Sequence, residues 1–361
     1  MKKSLPVLLL FCLAFSLSAI EIKHLREITL SQTDEAFIQK AGSFIVTEDE
    51  TVIVFDSGAG NIKSFDINGK PVGIFGRKGL GPNEFIRPKL SAYKAPYIAF
   101  ADFGRKSFFI YKRKDRNSFE FVNSFLSLGM CYDLQLIGDG NLLVAGYKID
   151  NDRKEYHLYT YDFKDQKYEF ILPSEVSYGF NSIKRYKKEY NERLSYIGLM
   201  LFCDFSADSI YFAWTGDIDV LKIDRKTYEI TSFGKKTENF SKPSMSAEIK
   251  RAYARRNHKL IYRLRSGMSY VRDIFVSNSN KVGLVYVGPL KKNKGMDVMV
   301  QVYSGEGEFS KEFGVLNAGA SNHYDLYFYF NKDRNLFYIM DIETSKEFDQ
   351  FYKVHEYRIV E

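Results

Sequence analysis

Cysteine, proline and histidine are scarce in this chain of 361 residues, and each scarcity excludes something. Three cysteines rule out a disulfide-stapled scaffold. Eight prolines and 25 glycines leave no low-complexity linker to mark a domain boundary. The histidines, His24, His157, His258, His323 and His355, are scattered, and none forms an HxH or HExxH pair. Neither a GxSxG elbow nor a P-loop occurs. Charge of one sign is lacking too: 52 Lys and Arg face 45 Asp and Glu. Hydrophobic residues at 45% and charged residues at 27% exclude a disordered or collagenous chain. What the chain has in quantity is aromatic: 31 Phe and 26 Tyr, a bias toward strands.

One apolar run stands out, Leu5 to Leu17, behind Lys2 and Lys3, with the small residues Ser16, Ser18 and Ala19 at its end. It falls short of the roughly 20 residues that span a bilayer. Residues 1–19 therefore read as a secretory signal peptide, cleaved after Ser18 or Ala19. The expectation is an exported protein, periplasmic or at the cell surface, with residues 20–361 forming one domain. Without residues 1–19 the chain keeps 50 basic and 45 acidic residues, a net +5. Cys131 and Cys203 remain, and they are expected as two separate buried thiols.

The segment VIVFDSGAGNIKSFDINGKPVGIFGRKGLGPNEFIRP, residues 52–88, reads as strand, turn, strand, hairpin and strand, with Asn68-Gly69 as the tight-turn signal. Residues 97–115 repeat the layout at an offset of 46, with Asp102-Phe103-Gly104 where Asp56-Ser57-Gly58 stood. Related units begin at residues 141, 209, 281 and 335. Most are preceded by a further apolar run: Phe44–Val46, Leu134–Ile137, Leu199–Phe205, Asp273–Val276 and Tyr324–Phe330. The predicted fold is all-β, a six-bladed β-propeller with four-stranded blades. The last unit has only three strands before residue 361, so residues 21–30, EIKHLREITL, are expected to supply its outer strand and close the ring.

The 52–88 segment resembles an NHL repeat, and the chain from residue 20 resembles the exported six-bladed, NHL-like propellers common in Bacteroidota. The resemblance implies a ring with a central channel and a binding face built from loops. It does not imply one chemistry, since such propellers include scaffolds, ligand binders, lactonase-like hydrolases and lyases.

Two stretches break the period, residues 174–196 and 235–269. The second carries a helix signal, with Ser244 or Ser246 as N-cap, Glu248 in the first turn, and helix formers to about Leu264. Residues 235–265 hold ten Lys or Arg against Glu238 and Glu248, a local +8, so the basic charge is concentrated here. Lys250, Arg251, Arg255 and Arg256 on this insertion, with Arg77, Lys78 and Arg87 near unit 1, are the candidates for a basic docking surface. The alternative is a solvated helix packed down through Ile249, Tyr253, Leu260, Ile261 and Leu264.

Aligning the units places Asp56, Asp102, Gly146, Trp214, Tyr286 and Asp341 at equivalent ends of second strands, with Tyr147 beside Gly146. With His323 they are the candidates for a ligand site at the channel mouth. Asp56 and Asp102 also suit plain turn-capping. The expected function is a binding module without catalysis, for an anionic or carbohydrate-type ligand or an envelope protein. It is expected to be a monomer, with no nucleic acid partner and no membrane span. The alternative is a metal-dependent hydrolase or lyase of the lactonase-like propeller class, with Ca²⁺ in the channel as its cofactor.

Overall fold

Every second strand in this chain is apolar on both faces, so each sheet must be covered on both sides. In Val52–Asp56, for example, Val52 and Val54 pack into one core while Ile53 and Phe55 pack into another. A computed structural model shows the consequence. It describes residues 20–127, 129–138, 140–177, 200–243, 246–290, 295–318, 326–344 and 350–360. The proposed signal segment, His323, Ser244 and most of residues 174–196 lie outside that set.

Six four-stranded antiparallel sheets form the blades of a propeller. Blade 1 comprises Ala41–Val46, Val52–Asp56, Asn61–Phe65 and Pro71–Phe75, from the innermost strand outward. Blade 2 comprises Pro88–Lys94, Tyr97–Asp102, Ser107–Arg113 and Phe119–Leu126. Blade 3 runs from Met130–Ile137 to Lys167–Pro173, blade 4 from Leu201–Phe205 to Ile230–Phe233, and blade 5 from Tyr270–Val276 to Phe309–Ala318. In blade 6, Leu326–Asn331, Leu336–Thr344 and Gln350–Val360 are completed by Glu21–Leu30, as expected. Neighbouring innermost strands touch all the way round the ring. Six buried clusters, one between each pair of neighbouring blades, form the core.

Three features depart from the sequence reading. Pro88–Lys94, the innermost strand of blade 2, was not among the predicted runs; its small and polar residues conceal it. Arg77–Lys78 and Glu84–Phe85 add a short parallel ladder in the loop between blades 1 and 2. The predicted basic helix is two helices, Ala247–Ala254 and His258–Ser266. Arg256 takes a left-handed φ of 52°, which ends the first helix, and Asn257 Oδ1 accepts from Leu260 N at 3.0 Å to cap the second. Ser246 Oγ caps the first helix through Ile249 N at 3.2 Å. Ile249, Ala252 and Ile261 are buried, while Arg251, Arg255 and Arg256 stay exposed. Cys131 and Cys203 are free, buried thiols, and burial pushes both well up. No helix among the described residues is long and apolar enough to cross a membrane.

Polar contacts also hold the closing strand. Gly69, at φ 75°, turns directly beneath it: a Cβ there would lie 2.0 Å from Thr29 O, and Ser31 N donates to Gly69 O at 2.8 Å. Arg26 donates to Glu356 Oε2 at 2.8 and 2.6 Å and to Glu50 Oε1 at 3.0 Å, and Arg334 reaches the same Glu50 oxygen at 2.6 Å. Blade 6 is thereby tied to the first hairpin of blade 1. The Glu356 side chain is only 4% exposed, so Arg26→Ala would strand a buried carboxylate. The expected loss is about 2–3 kcal/mol, below the figure for a fully buried pair because the guanidinium is partly solvated. Chemical unfolding measures it. Glu356→Gln in the Arg26→Ala background should recover part of the loss; no recovery would count against the buried-charge explanation.

Candidate functional site

The innermost strands surround a central cavity of about 620 Å³, lined from all six blades. Four of these strands carry a β-bulge at the same height. The extra residue is Gly42 in blade 1, Lys89 in blade 2, Tyr132 in blade 3 and Arg272 in blade 5. A bulge adds an unpaired residue and re-aims its side chain. All four bulge residues line the cavity. Gly42 has a further reason to be glycine: a Cβ there would lie 2.4 Å from Pro88 O and 2.8 Å from Lys89 Cα, so blades 1 and 2 approach closely at this point.

The lining is charged. Lys40 and Arg87 are exposed at the mouth, and Lys89 and Arg272 are half-buried. Lys89 is held below the usual lysine range, first by burial and then by the charges of Arg87, Lys40 and Arg272, so these four cations converge. The Lys89 ammonium also lies 5.2 Å from the centre of the Phe103 ring, and Arg272 Nη2 donates to Leu326 O at 3.4 Å.

Asp133 and Asp273 face the same space, and Asp204 stands behind them in the ring interior. Asp133 Oδ1 accepts from Leu134 N at 2.8 Å and Oδ2 from Cys203 N at 2.9 Å, which ties blade 3 to blade 4. One blade on, Asp204 repeats the device: Oδ1 accepts from Phe205 N at 2.8 Å and Oδ2 from Val276 N at 2.6 Å, tying blade 4 to blade 5. Lys332 Nζ stands 2.5 Å from Asp204 Oδ1. Asp273 Oδ1 accepts from Ile274 N at 2.8 Å. Burial pushes Asp133 up to about 7 and the neighbouring Asp204 charge adds to the shift, while the amides from Cys203 and Leu134 oppose it. Asp273 is raised well above the usual range by burial and then by Asp133. Burial raises Asp204 too, and Lys332 opposes that shift.

The channel-mouth candidates named from the sequence that the structure describes occupy other places. Asp56 and Asp102 lie at equivalent positions and share one role. Asp56 accepts from its own turn at Gly58 N and Ala59 N (3.0 Å each), from the preceding loop at Gln39 N (2.8 Å) and Lys40 N (3.0 Å), and from the buried Lys63 Nζ (2.6 Å). Asp102 accepts from Gly104 N, Arg105 N, Ile86 N and Arg87 N between 2.7 and 3.1 Å. Each clamps a turn to an inter-blade loop. Trp214 is buried in the core between blades 3 and 4. Tyr286 is buried and its hydroxyl donates to Glu312 Oε1 at 2.7 Å. Tyr147 packs edge-on against Tyr132 and His157. Asp341 Oδ1 lies 3.7 Å from His355 Nε2, with Glu27 Oε2 3.7 Å from the other ring nitrogen. The carboxylates named for a Ca²⁺ site are turned to separate partners, Asp56 and Asp102 to the amides of their own turns and Asp341 to the neighbourhood of His355. Among the described residues no group of three or more His, Cys, Asp or Glu is placed to hold a metal ion. Of the basic candidates, Arg87 lines the cavity, Arg77 pairs with Glu84 at 2.7 Å on the loop surface, and Lys78 is exposed beside it.

Lys89, Arg272, Asp133 and Asp273 were missed. A signal existed: Cys131-Tyr132-Asp133-Leu134, Phe202-Cys203-Asp204-Phe205 and Val271-Arg272-Asp273-Ile274 each set an aspartate inside an otherwise apolar strand.

No family model and no curated protein matches the chain. Among solved structures it is similar to a DUF4221 family member from Bacteroides vulgatus, at 14% identity and TM-score 0.62, covering 95% of this chain and 99% of that one. It is also similar to an exported protein candidate from Bacteroides fragilis, at 15% identity and TM-score 0.56, covering 95% and 96%. These likenesses establish the class: a six-bladed propeller of the architecture found in Bacteroides.

The bulge geometry is open to test at Gly42. Gly42→Ala should cost about 1–3 kcal/mol in chemical unfolding, since the methyl meets backbone that can move only by shifting blade 2. A variant as stable as the parent would contradict the close approach described above.

Proposed function

We propose that the protein is an exported binding module whose central channel takes a small anionic ligand. The observation that carries this reading is the convergence of Lys40, Arg87, Lys89 and Arg272 on one cavity. Four like charges repel, and an anion among them relieves that repulsion at several positions at once. The acids facing them weaken the cations less than their number suggests, because burial favours the neutral form of Asp133 and Asp273. Export is supported by the signal-like N-terminus and by the exported candidate among the structural neighbours. The exposed Arg251, Arg255 and Arg256 support a second, outer contact with an acidic partner. Replacing all three with Glu should abolish retention on a sulfated-polymer column while leaving channel binding intact; unchanged retention would remove that surface from the reading.

The channel is tested by thermal melting with small anions, since a ligand of the folded state raises the melting temperature. Citrate and inorganic phosphate should raise it, and Lys89→Gln with Arg272→Gln should abolish the shift. The sign of the pH dependence follows from Asp133. Its carboxyl, faced by Asp204, Asp273, Arg272 and the Lys332–Asp204 pair, loses its proton as pH rises through about 7 and places negative charge in the cavity. Anion affinity should therefore fall several-fold between pH 6 and pH 8. The stability of the free protein should fall over the same interval, because the folded state holds a proton that the unfolded chain has already released. Affinity that is flat or rising with pH would count against Asp133 as a channel group.

A further inference from the structure

We infer that the channel ligand is an amphiphilic organic acid, a carboxylate with its single charge at Lys89, Arg87 and Lys40 and an apolar arm lying in a second cavity that adjoins the first between blades 2 and 3. This rests on the anion-binding reading above and deepens it.

The first ground is the second cavity itself. It measures about 520 Å³ and lies between the turn that follows Tyr97–Asp102 and the chain that enters blade 3. Ala101, Phe103, Met130 and Tyr132 give it an apolar wall. Met130 is 59% exposed, so a flexible thioether that fits apolar shapes is left facing water. The polar groups around the wall are already engaged. Asp102 accepts from the four amides described above, Ser107 Oγ donates to Arg105 O at 3.1 Å, and Ser127 Oγ donates to Gly129 O at 2.9 Å. Ser127 N donates to Lys106 O at 2.8 Å, which holds the connecting loop against the turn and keeps the groove's shape. The groove therefore offers a ligand apolar surface rather than hydrogen bonds.

The second ground is the junction of the two cavities. Tyr132, the bulge residue of blade 3, lines both of them, and Tyr147 braces its ring edge-on at 5.7 Å. Phe103 walls the groove, and Lys89 lines the central cavity with its ammonium 5.2 Å from the centre of that same ring. Cation and apolar groove thus meet at one aromatic side chain. The bulges at Lys89 and Tyr132 produce this meeting, because each re-aims a side chain of an innermost strand.

The third ground is the charge at the junction. Among the described residues Lys89 has three cations as its charged neighbours and no carboxylate to offset them. Arg272 is already engaged, with Nη2 donating to Leu326 O at 3.4 Å, and stays outside the anchor. Asp133 and Asp273 line the central cavity too, so a second negative charge on the ligand would meet them. A neutral apolar molecule would fill the groove and leave the half-buried Lys89 without a counter-charge. A bare anion would answer Lys89 and leave the groove to water. A monoanion with an apolar arm serves both cavities at once.

The test is calorimetric titration of the purified protein at pH 6 with octanoate and phenylpropanoate, against acetate and citrate as anions without an arm and octanol as an arm without a charge. The tighter of the two amphiphilic acids should bind tenfold or more tighter than acetate, since each methylene taken out of water contributes about fourfold. Octanol should bind at least tenfold more weakly than octanoate. Lys89→Gln should weaken the amphiphilic acids and citrate together. The methyl resonance of Met130, assigned by its loss in the Met130→Leu variant, should move when the tighter acid is added and stay in place with citrate. Two outcomes would overturn the inference and leave the anion reading standing: amphiphilic acids no tighter than acetate while citrate binds, or binding that leaves the Met130 methyl unmoved. Octanol equal to octanoate, or octanoate binding unchanged in Lys89→Gln, would overturn the placement of the head and with it the inference. No binding by any probe would overturn both readings.

Discussion

The apolar character of both faces of every blade is the constraint on which the rest of this structure depends. A sheet with one wet face can stop at an edge, whereas a sheet buried on both faces needs a neighbour on each side, and that condition is met for all members only in a closed ring. The six clusters between blades are the direct result. Aromatic rings do much of this packing: Phe100 meets Phe55, Phe85 and Phe109 at centroid distances of 5.0 to 5.4 Å between blades 1 and 2.

The channel inherits its chemistry from this arrangement. Core packing occupies the faces of the sheets, so side chains free to meet a ligand arise where the innermost strands depart from regular pairing, and the bulges at Lys89, Tyr132 and Arg272 are such departures. The acids hold a double position. Asp133 and Asp204 tie consecutive blades together through backbone amides and also contribute to the electrostatics of the ring interior. Charge near the axis and cohesion of the ring are thus coupled, and a change in one is felt in the other.

The ring was legible in the sequence because its signals are local and repeated: apolar runs of strand length, Asn68-Gly69, and the two Asp-x-Gly turns. Even the closing strand could be read, since a three-stranded last unit requires a fourth strand and residues 21–30 had no other partner. The site was less legible. A bulge puts the strand out of phase by one residue, so Arg272 and Lys89 read as interruptions rather than as lining. Pro88–Lys94 carries no long apolar run, because Pro88, Lys89, Ser91 and Lys94 interrupt it and Lys89 and Ser91 line the cavity instead of a core. Aligned second-strand ends gave Asp56 and Asp102 prominence, yet in the fold those carboxylates face their own turns. Sequence equivalence located a repeated position correctly, and the local backbone decided its use.

The pairing of Glu21–Leu30 with Gln350–Val360 has a consequence in time. The strand made first is the one used last, since its partner does not exist until nearly the whole chain has been synthesised. Blades 1 to 5 can form in turn, yet blade 6 stays incomplete and the ring open until both ends of the chain meet. Contacts this remote in sequence slow folding. Until the two ends meet, the cores that blade 6 shares with blades 5 and 1 both stay unfinished, so the joining of two terminal strands acts as the latch of the whole ring.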